Sequence, residues 1–489
     1  MRFDKFLTLL QDRTDFEYQG SSEGTFQGLV CKPQRAPLHR QFRAIVDPAW
    51  GPFSASRYSV PDDRMPRAVE AVIANGGRGF VLPRRFRGAN FLDGVDCFFV
   101  DDTLEFSLRA AEVILQTRGR SKLTVVTGSA GKTTTKAMLV QAMHAAVPAD
   151  HRLAVRRRAN TVPTVLAQLT RADRFRHMVL EVAASVMPVF RSRGFSMNAD
   201  VSILTSIAEA HLEAHGSIEG VARDKGDVFT DPPPGGTAII NLDTKLAEDV
   251  VRRAVREGRQ LVTYGRNPEA TIRLVDYDVA TGQVEADIGR ERITYVVGAP
   301  GEHMALNSLA VLATLRAHQY SKWRAGIDAL ADFEPVAGRG NVYDLPIQPG
   351  VSIKMIDESY NANPASMRVA LQSFVGSASA HDGRRVAILG DMMELGDVTE
   401  TAHRELAPDV RAAGFEEVHL VGEHMAVLRD ALKAQPNLHY WPDVDALTDR
   451  LPRHLRNGDI VLAKASRSTG LFHAIRAMVK GAEAVAHTS

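Results

Sequence analysis

Only two cysteines, Cys31 and Cys97, occur in 489 residues. They supply neither a disulfide framework nor a zinc-ligand spacing. A dominant charge sign is missing too. The formal net charge is +1, so no overall field directs the chain to nucleic acid or to a membrane surface. No apolar run is long enough to span a bilayer. The start, Met1-Arg2-Phe3-Asp4-Lys5, carries an acid early and lacks a long apolar core, so no signal peptide is expected. No internal repeat is visible. A reducing cytoplasm is the expected setting, with a monomer acting on small molecules.

The rest of the composition is that of a globular protein, with 24% charged and 45% hydrophobic residues. The length exceeds one core, and about 100–200 residues per domain suggests three domains. Residues 1–118 scatter glycine, proline and arginine among short strand-like runs such as Gly79-Phe80-Val81-Leu82. Val69 to Gly77 reads as a helix ending at glycine, and Leu104 to Gln116 as a second helix. Residues 119–338 alternate strands with helices. Met178-Val179-Leu180-Glu181-Val182, Val201 to Thr205 and Thr237 to Asn241 are strands, the last entered through Pro232-Pro233-Pro234-Gly235-Gly236. Residues 339–489 repeat the rhythm with Val386 to Asp391, Glu417 to Gly422 and Ile460 to Lys464, after a hinge at Ala337-Gly338-Arg339-Gly340. The fold class expected is α/β with three domains. The central one is a mostly parallel sheet of P-loop type with helices on both faces, and the C-terminal one is Rossmann-like. Ligands on such sheets bind beyond the carboxyl ends of the strands.

One segment carries the most chemistry. Leu123 to Thr127 is a β-branched, apolar strand, and Lys136 to Met143 reads as helix. Between them lies Gly128-Ser129-Ala130-Gly131-Lys132-Thr133-Thr134-Thr135. Strand, glycine turn and helix N-terminus make a phosphate cradle, because backbone N–H groups and the helix dipole both favour an anion. Lys132 is placed to reach the outer phosphates and the Thr133 hydroxyl to meet Mg²⁺. Only Ser129 and Ala130 separate the glycines, where the common P-loop has four residues. The basic run Arg156-Arg157-Arg158 reads as a solvated face, or as a phosphate contact if it borders the loop.

Further segments fall into one pattern with this loop. They are Ala210-His211-Leu212-Glu213, Gly216 to Ala222 and Lys225-Gly226-Asp227; then Gly301-Glu302-His303 with Asn307; then Asp357-Glu358-Ser359-Tyr360-Asn361-Ala362-Asn363-Pro364; then Gly390-Asp391-Met392-Met393-Glu394-Leu395-Gly396 with His403; and Lys464-Ala465-Ser466-Arg467. Together they resemble the Mur ligase family over residues from about 119 to 475, and within it the branch that adds D-alanyl-D-alanine to a UDP-N-acetylmuramoyl tripeptide. The resemblance implies an ATP-dependent ligase that activates a carboxylate as an acyl phosphate for attack by an amine, with ADP and phosphate released.

Amide formation in water is uphill, so anionic phosphates and a carboxylate must meet, and cations must offset their repulsion. Mg²⁺ takes oxygen ligands and bridges phosphates. The expected metal set is Thr133, Glu181, His211 and Lys225. The resemblance implies that Lys225 is carbamylated, which requires a neutral amine and hence a depressed pKa. Gly128, Ser129, Gly131, Lys132, Thr133 and Thr134 are expected to cradle ATP. By family likeness, Arg339 meets its phosphate, Asp357 and Tyr360 flank the nucleotide, and His303 and Asn307 lie near adenine. Lys132, Glu181, His211, Lys225 and Arg339 form the expected catalytic set. Asn160, Asn361, Asn363, Lys464 and Arg467 are the expected substrate contacts. Fixed cations there would stabilise the oxyanion of a tetrahedral intermediate. His403, on a helix, reads as structural, and Asn241 and Asp243 as turn formers or strand-end polar groups.

The resemblance departs at the acyl-substrate side. The branch's Ser/Thr-Asp-Ser-Arg motif and Asp-Gly-His segment have no good counterpart; Ser54-Ala55-Ser56-Arg57 and Pro61-Asp62-Asp63-Arg64 are poor substitutes. Arg158-Ala159-Asn160-Thr161-Val162-Pro163 is shorter than the branch's paired-asparagine stretch, and Val182-Ala183-Ala184-Ser185-Val186 replaces a Met-Gly-Ala-Asn run. The substrate is therefore expected to differ from the cell-wall precursor, as in a specialised peptide or natural-product pathway. The alternative is a divergent cell-wall ligase. A catalytically silent ATP-binding regulator is a reading of another class, opposed by the retention of Lys132, Thr133, Glu181, His211 and Lys225. A plain ATPase or kinase would not need the C-terminal motifs.

Overall fold

The computed structural model describes residues 1–21, 23–31, 41–44, 60–119, 121–148, 153–154, 160–209, 212–230, 235–378 and 383–486. Three sheets of five, nine and six strands organise them. Among the described residues, no helix is long and apolar enough to cross a membrane.

In the N-terminal sheet the strand order is Glu17–Gln19, Asp96–Val100, Gly79–Pro83, Phe42–Ala44 and Leu29–Val30; the first pair is antiparallel and the rest parallel. Phe3, Phe6, Phe26, Phe42 and Phe98 fill its core, with the Phe6 and Phe26 rings stacked 3.8 Å apart. The Thr103–Thr117 helix starts where the Asp102 carboxylate accepts the Leu104 and Glu105 N–H groups at 2.8 and 3.0 Å. That helix buries apolar side chains over most of its circumference, leaving one polar stripe of Glu105, Arg109, Glu112 and Gln116. One continuous cluster therefore runs from Phe3 through Phe106 and Ile114 to Val125 and Leu180 of the central sheet. The N-terminal and central regions share a core rather than meeting at a polar seam.

The central sheet runs Leu153–Ala154, His177–Glu181, Lys122–Thr127, Val201–Leu204, Thr237–Asn241, Gln260–Gly265 and Ile272–Tyr277 as parallel neighbours. An antiparallel meander, Gln283–Ile288 and Glu291–Val296, extends it. Alternate residues face opposite layers, as the two-residue period of a strand requires. Leu123, Val125, Leu180 and Ile240 join one core, while Val126, Val179, Ile203 and Ile239 join the other. The Val162–Leu169 helix lies in the first layer and the helices Lys132–Ala146 and Glu302–Ala317 in the second. The Lys122–Thr127 strand sits between strands reached in opposite directions along the sheet. Its carboxyl end is thus a topological switch point, where a crevice must open.

In the C-terminal sheet the order is Asn341–Gln348, Val351–Asp357, Ile460–Lys464, Arg385–Gly390, Glu417–Val421 and Leu438–Trp441, with only the first pair antiparallel. The strands expected from Val386, Glu417 and Ile460 all form.

Candidate active site

At the switch point the chain turns through Gly128 (φ +148°) and Gly131 (φ +80°) into the Lys132–Ala146 helix. Both positions need glycine for space as well as for φ. A Cβ on Gly128 would lie 2.0 Å from Thr205 Oγ1, and one on Gly131 2.8 Å from Asn307 Oδ1. The loop is fixed from the neighbouring strand: Ser129 N–H donates to the Ser206 carbonyl and Ala130 N–H to Ser206 Oγ, each at 2.8 Å. Ser129 Oγ donates to the Ala208 carbonyl at 3.1 Å. Lys132 Nζ turns back to the Gly128 carbonyl. Burial is the main influence on its ammonium. Glu181 supports the charge and Arg339 opposes it, and the pKa falls to about 8.

Glu181 ends the adjacent strand, paired with Val126. It is 5% exposed. Thr133 Oγ1 lies 3.0 Å from both carboxylate oxygens, Lys136 Nζ 2.9 Å from Oε2, and Asn160 Nδ2 3.3 Å from Oε1. Burial alone would raise its pKa. The charges of Lys136 and Lys132, the Lys136 hydrogen bond and the more distant Arg339 reverse the sign and hold it below the ordinary value. The sequence motif brought Lys132, Thr133 and Glu181 together, and the structure adds Lys136 as a fourth member. Helical spacing offered a signal for it, since position 136 lies one turn beyond 132 and 133.

Lys225 lies on the Ile218–Gly226 helix, whose Ser217 side chain accepts the Gly220 N–H at 3.2 Å. It is buried, and that burial, with the nearby Lys132 charge, takes its amine well below the ordinary lysine value despite Asp224. Asp224 in turn accepts from His215 Nδ1 at 2.7 Å. His211 lies outside the described residues, as do Ser54 to Arg57 and Arg156 to Arg158.

A cleft of about 500 Å³ opens in front of the loop, between the central and C-terminal sheets. The central side offers Ser129, Gly131, Thr134, His303 and Asn307; the other side offers Arg339, Glu358, Asn361, Asn363 and Lys464. Asn241 and Asp243 also border it while shaping their turns: Asn241 Nδ2 donates to the Thr205 carbonyl at 3.0 Å, and Asp243 accepts the Arg266 and Asn267 N–H groups at 2.7 and 2.9 Å. Lys464 is 2% exposed, and its Nζ lies 3.1 Å from the Asn361 carbonyl and 3.4 Å from Glu358 Oε2. Glu358 is a second residue the sequence reasoning did not single out. Burial lowers the His303 pKa, with Glu358 opposing and Lys464 reinforcing the shift.

Asp357, Tyr360 and Arg467 are not in the cleft lining but stand beside it. Asp357 is fully buried and holds the Ser359 N–H at 3.0 Å; burial raises its pKa. Tyr360 is a platform for two guanidinium groups, with Arg339 4.4 Å and Arg467 5.1 Å from its ring centre. Arg467 also donates to the Tyr360 hydroxyl at 2.7 Å. Arg339 keeps a buried Nε that finds no partner among the described residues. Asn363 accepts the Ser366 N–H at 2.8 Å, capping the Pro364–Ala378 helix. His403 is structural in its contacts: Nδ1 donates to the Thr399 carbonyl at 2.7 Å and Nε2 accepts the Met392 N–H at 3.0 Å. Both ring nitrogens are thereby used to hold the Gly390–Gly396 turn.

Two family models match the chain: the Mur ligase middle domain at residues 126–315 and the Mur ligase glutamate ligase domain at 347–467. Among curated proteins, the UDP-N-acetylmuramoyl-tripeptide–D-alanyl-D-alanine ligase of Bacillus subtilis is 27% identical over 388 residues, which cover 78% of this chain and 80% of that one. The enzyme of the same name from Synechocystis is 29% identical, covering 76% and 78%. Among solved structures, MurF from Acinetobacter baumannii superposes with a TM-score of 0.78 at 20% identity, over 97% of this chain and 98% of its own. MurF from Thermotoga maritima, solved in complex with ADP, gives 0.72 at 19% identity, over 94% and 98%. These relatives support the cell-wall alternative better than the specialised-pathway reading.

Proposed function

Since this chain belongs to the Mur ligase family, we propose that it is an ATP-dependent acid–amino-acid ligase, joining a carboxylate to an amine with release of ADP and phosphate. The observation that carries the reading is the convergence on one cleft of the glycine loop, with the Thr133–Glu181 pair behind it, and of Arg339 and Lys464 from the opposite side. A phosphate cradle alone serves any ATPase. Cations supplied from a second sheet suit a reaction in which another anion approaches the phosphate.

The residues fit the cofactors the family uses. Gly128 and Gly131 let the loop turn closely against Thr205 and Asn307, and the N-terminus of the Lys132–Ala146 helix, with Lys132, would hold the phosphates. The hydroxyl of Thr133 and the ionised carboxylate of Glu181 are hard oxygen donors suited to Mg²⁺. When bound, that ion supplies Lewis-acid neutralisation of phosphate charge. The chain's own groups do the rest. Lys132 is held at the loop by the Gly128 carbonyl. Arg339 is braced on the Tyr360 ring and lines the cleft, where its charge would meet an incoming anion. Lys464 presents a buried positive charge where negative charge develops during amine attack. The depressed pKa of Lys225 suits carbamylation, which needs a neutral amine. His303 and Asn307 are assigned to the adenine side. Asn160, Asn361, Asn363 and Arg467 are assigned to the substrate, Arg467 acting through Tyr360.

For the substrates, the names of the curated relatives support a UDP-N-acetylmuramoyl tripeptide and D-alanyl-D-alanine. A phosphate-release screen over pairs of acids and amines, with this pair included, tests the reading. Phosphate release that requires both acid and amine supports a ligase. Release without either one overturns it in favour of an ATPase. Turnover confined to another pair would restore the specialised substrate.

A further inference from the structure

Lys136 has no place in the scheme above, yet its side chain is more completely buried than that of Lys132. It is 3% exposed, and its Nζ lies 2.9 Å from Glu181 Oε2. A lysine is rarely buried to this degree unless it is paired. Here it reaches its partner across the layer between helix and sheet, from one turn beyond Lys132 and Thr133. The two oxygens of Glu181 are consequently unequal. Thr133 Oγ1 is 3.0 Å from both, but Oε2 is also held by a full positive charge, whereas among the described residues Oε1 adds only the neutral Asn160 amide at 3.3 Å.

We propose that Lys136 is a positioning residue that occupies Glu181 Oε2 as a resident counter-ion and leaves Oε1 as the single oxygen offered to a divalent cation. The inference rests on Glu181 being a cation ligand, as assigned above. It assigns Lys136 two effects. The ammonium fixes the orientation of the carboxylate before any cation arrives, through the 2.9 Å contact of its Nζ with Oε2. It also weakens the grip of Glu181 on the cation, because a fixed positive charge sits on the same carboxylate. A ligand that must release its cation together with product nucleotide is served by such a limit.

The test is Mn²⁺ binding to the full-length, nucleotide-free protein, followed by the electron paramagnetic resonance signal of free Mn²⁺. In Lys136→Met the competing charge is gone and both oxygens are open, so Mn²⁺ binds more tightly, by about tenfold for a charge interaction of ordinary protein strength. In Lys136→Arg the charge that supports folding is kept, and the planar fork covers both oxygens, so Mn²⁺ binds more weakly than in wild type. A purely structural lysine predicts no change in either variant. Mn²⁺ affinities of both variants within twofold of wild type overturn the proposal, and if Lys136→Met does not fold, an unchanged affinity in Lys136→Arg does so alone. Glu181→Gln separates the two levels of the argument. Loss of Mn²⁺ binding there, with no effect at Lys136, removes only the role of Lys136. Retained binding removes the assignment of Glu181 as well.

Discussion

Replacing Lys132 by methionine should make the protein more stable and inactive at once. Burial is the chief reason its ammonium falls from 10.5 to about 8, with Glu181 offsetting and Arg339 adding to the shift. At about 1.4 kcal/mol per tenfold change, holding that charge in the fold costs about 3 kcal/mol relative to the unfolded chain. The sign follows from proton counting. Between the folded and unfolded values the unfolded chain binds more protons, so stability rises with pH there. The penalty is full below about 8 and fades as pH climbs to 10.5. Lys132→Met keeps most of the side-chain volume and removes the charge. It also forfeits the hydrogen bond to the Gly128 carbonyl, worth about 1 kcal/mol. The net expectation is a nucleotide-free protein about 2 kcal/mol more stable at neutral pH. Urea unfolding of wild type and variant, at neutral pH and again near 10.5, reads both the gain and its decline. Phosphate release dependent on acid and amine should fall by about a hundredfold or more in the same variant. A variant less stable than wild type at neutral pH, or a gain that does not shrink in alkali, refutes the electrostatic reasoning. Undiminished turnover refutes the site.

Three further outcomes are expected. Glu181→Ala should abolish acid-dependent ADP formation with the circular dichroism spectrum kept; turnover at the wild-type rate would contradict its role as ligand. Lys225→Ala should lose activity and regain part of it with formate or acetate, which can occupy the place of a carbamate; no recovery at any concentration would speak against carbamylation. In the C-terminal sheet burial works against ionised Glu417, but the His419 and Arg384 charges, with the Arg384 hydrogen bond, take its pKa from 4.5 to about 2. Being depressed, it contributes stability above 4.5 that is lost as pH falls toward 2. Glu417→Gln should flatten this acid limb in urea unfolding, and an equal slope in both proteins would dismiss the effect.

The central and C-terminal sheets were legible because their strands are apolar runs bounded by glycine, and because the glycine loop announces its own strand and helix. Lys132, Thr133 and Glu181 converge as the motif predicts. What escaped the sequence depends on contacts between distant segments. Thr205 and Ser206 hold the loop from the next strand, yet nothing in Val201 to Thr205 marks them for that task. The meander from Ile272 to Val296 carries its own signal, for Ile272 and Leu274 face the core and Arg273 does not, a two-residue alternation. Tyr360, expected beside the nucleotide, also carries two arginines against its ring, a contact set by the meeting of the hinge with the turn at Arg467 that no motif announces. Asp357, also expected there, shapes the turn at Ser359 through its carboxylate, a contact within the motif itself.

The expectation of an unusual substrate rested on missing N-terminal motifs, and the structure separates two things that absence could mean. A lost motif can signal a lost fold or merely altered contacts on a retained one. The fold is retained: the N-terminal sheet forms, its phenylalanine core runs unbroken into the central sheet, and the superposition on a MurF structure spans 97% of the chain. The poor substitute Pro61 to Arg64 does local work instead, for Asp62 accepts two hydrogen bonds from Arg85 at 2.7 Å each, which ties a surface turn together. A motif that binds a sugar nucleotide consists of a few exposed side chains, and those can change without disturbing the buried aromatics beneath them. Sequence divergence confined to such positions therefore weighs little against a cell-wall substrate, and the paired acid and amine screen weighs more than any further reading of the N-terminal residues.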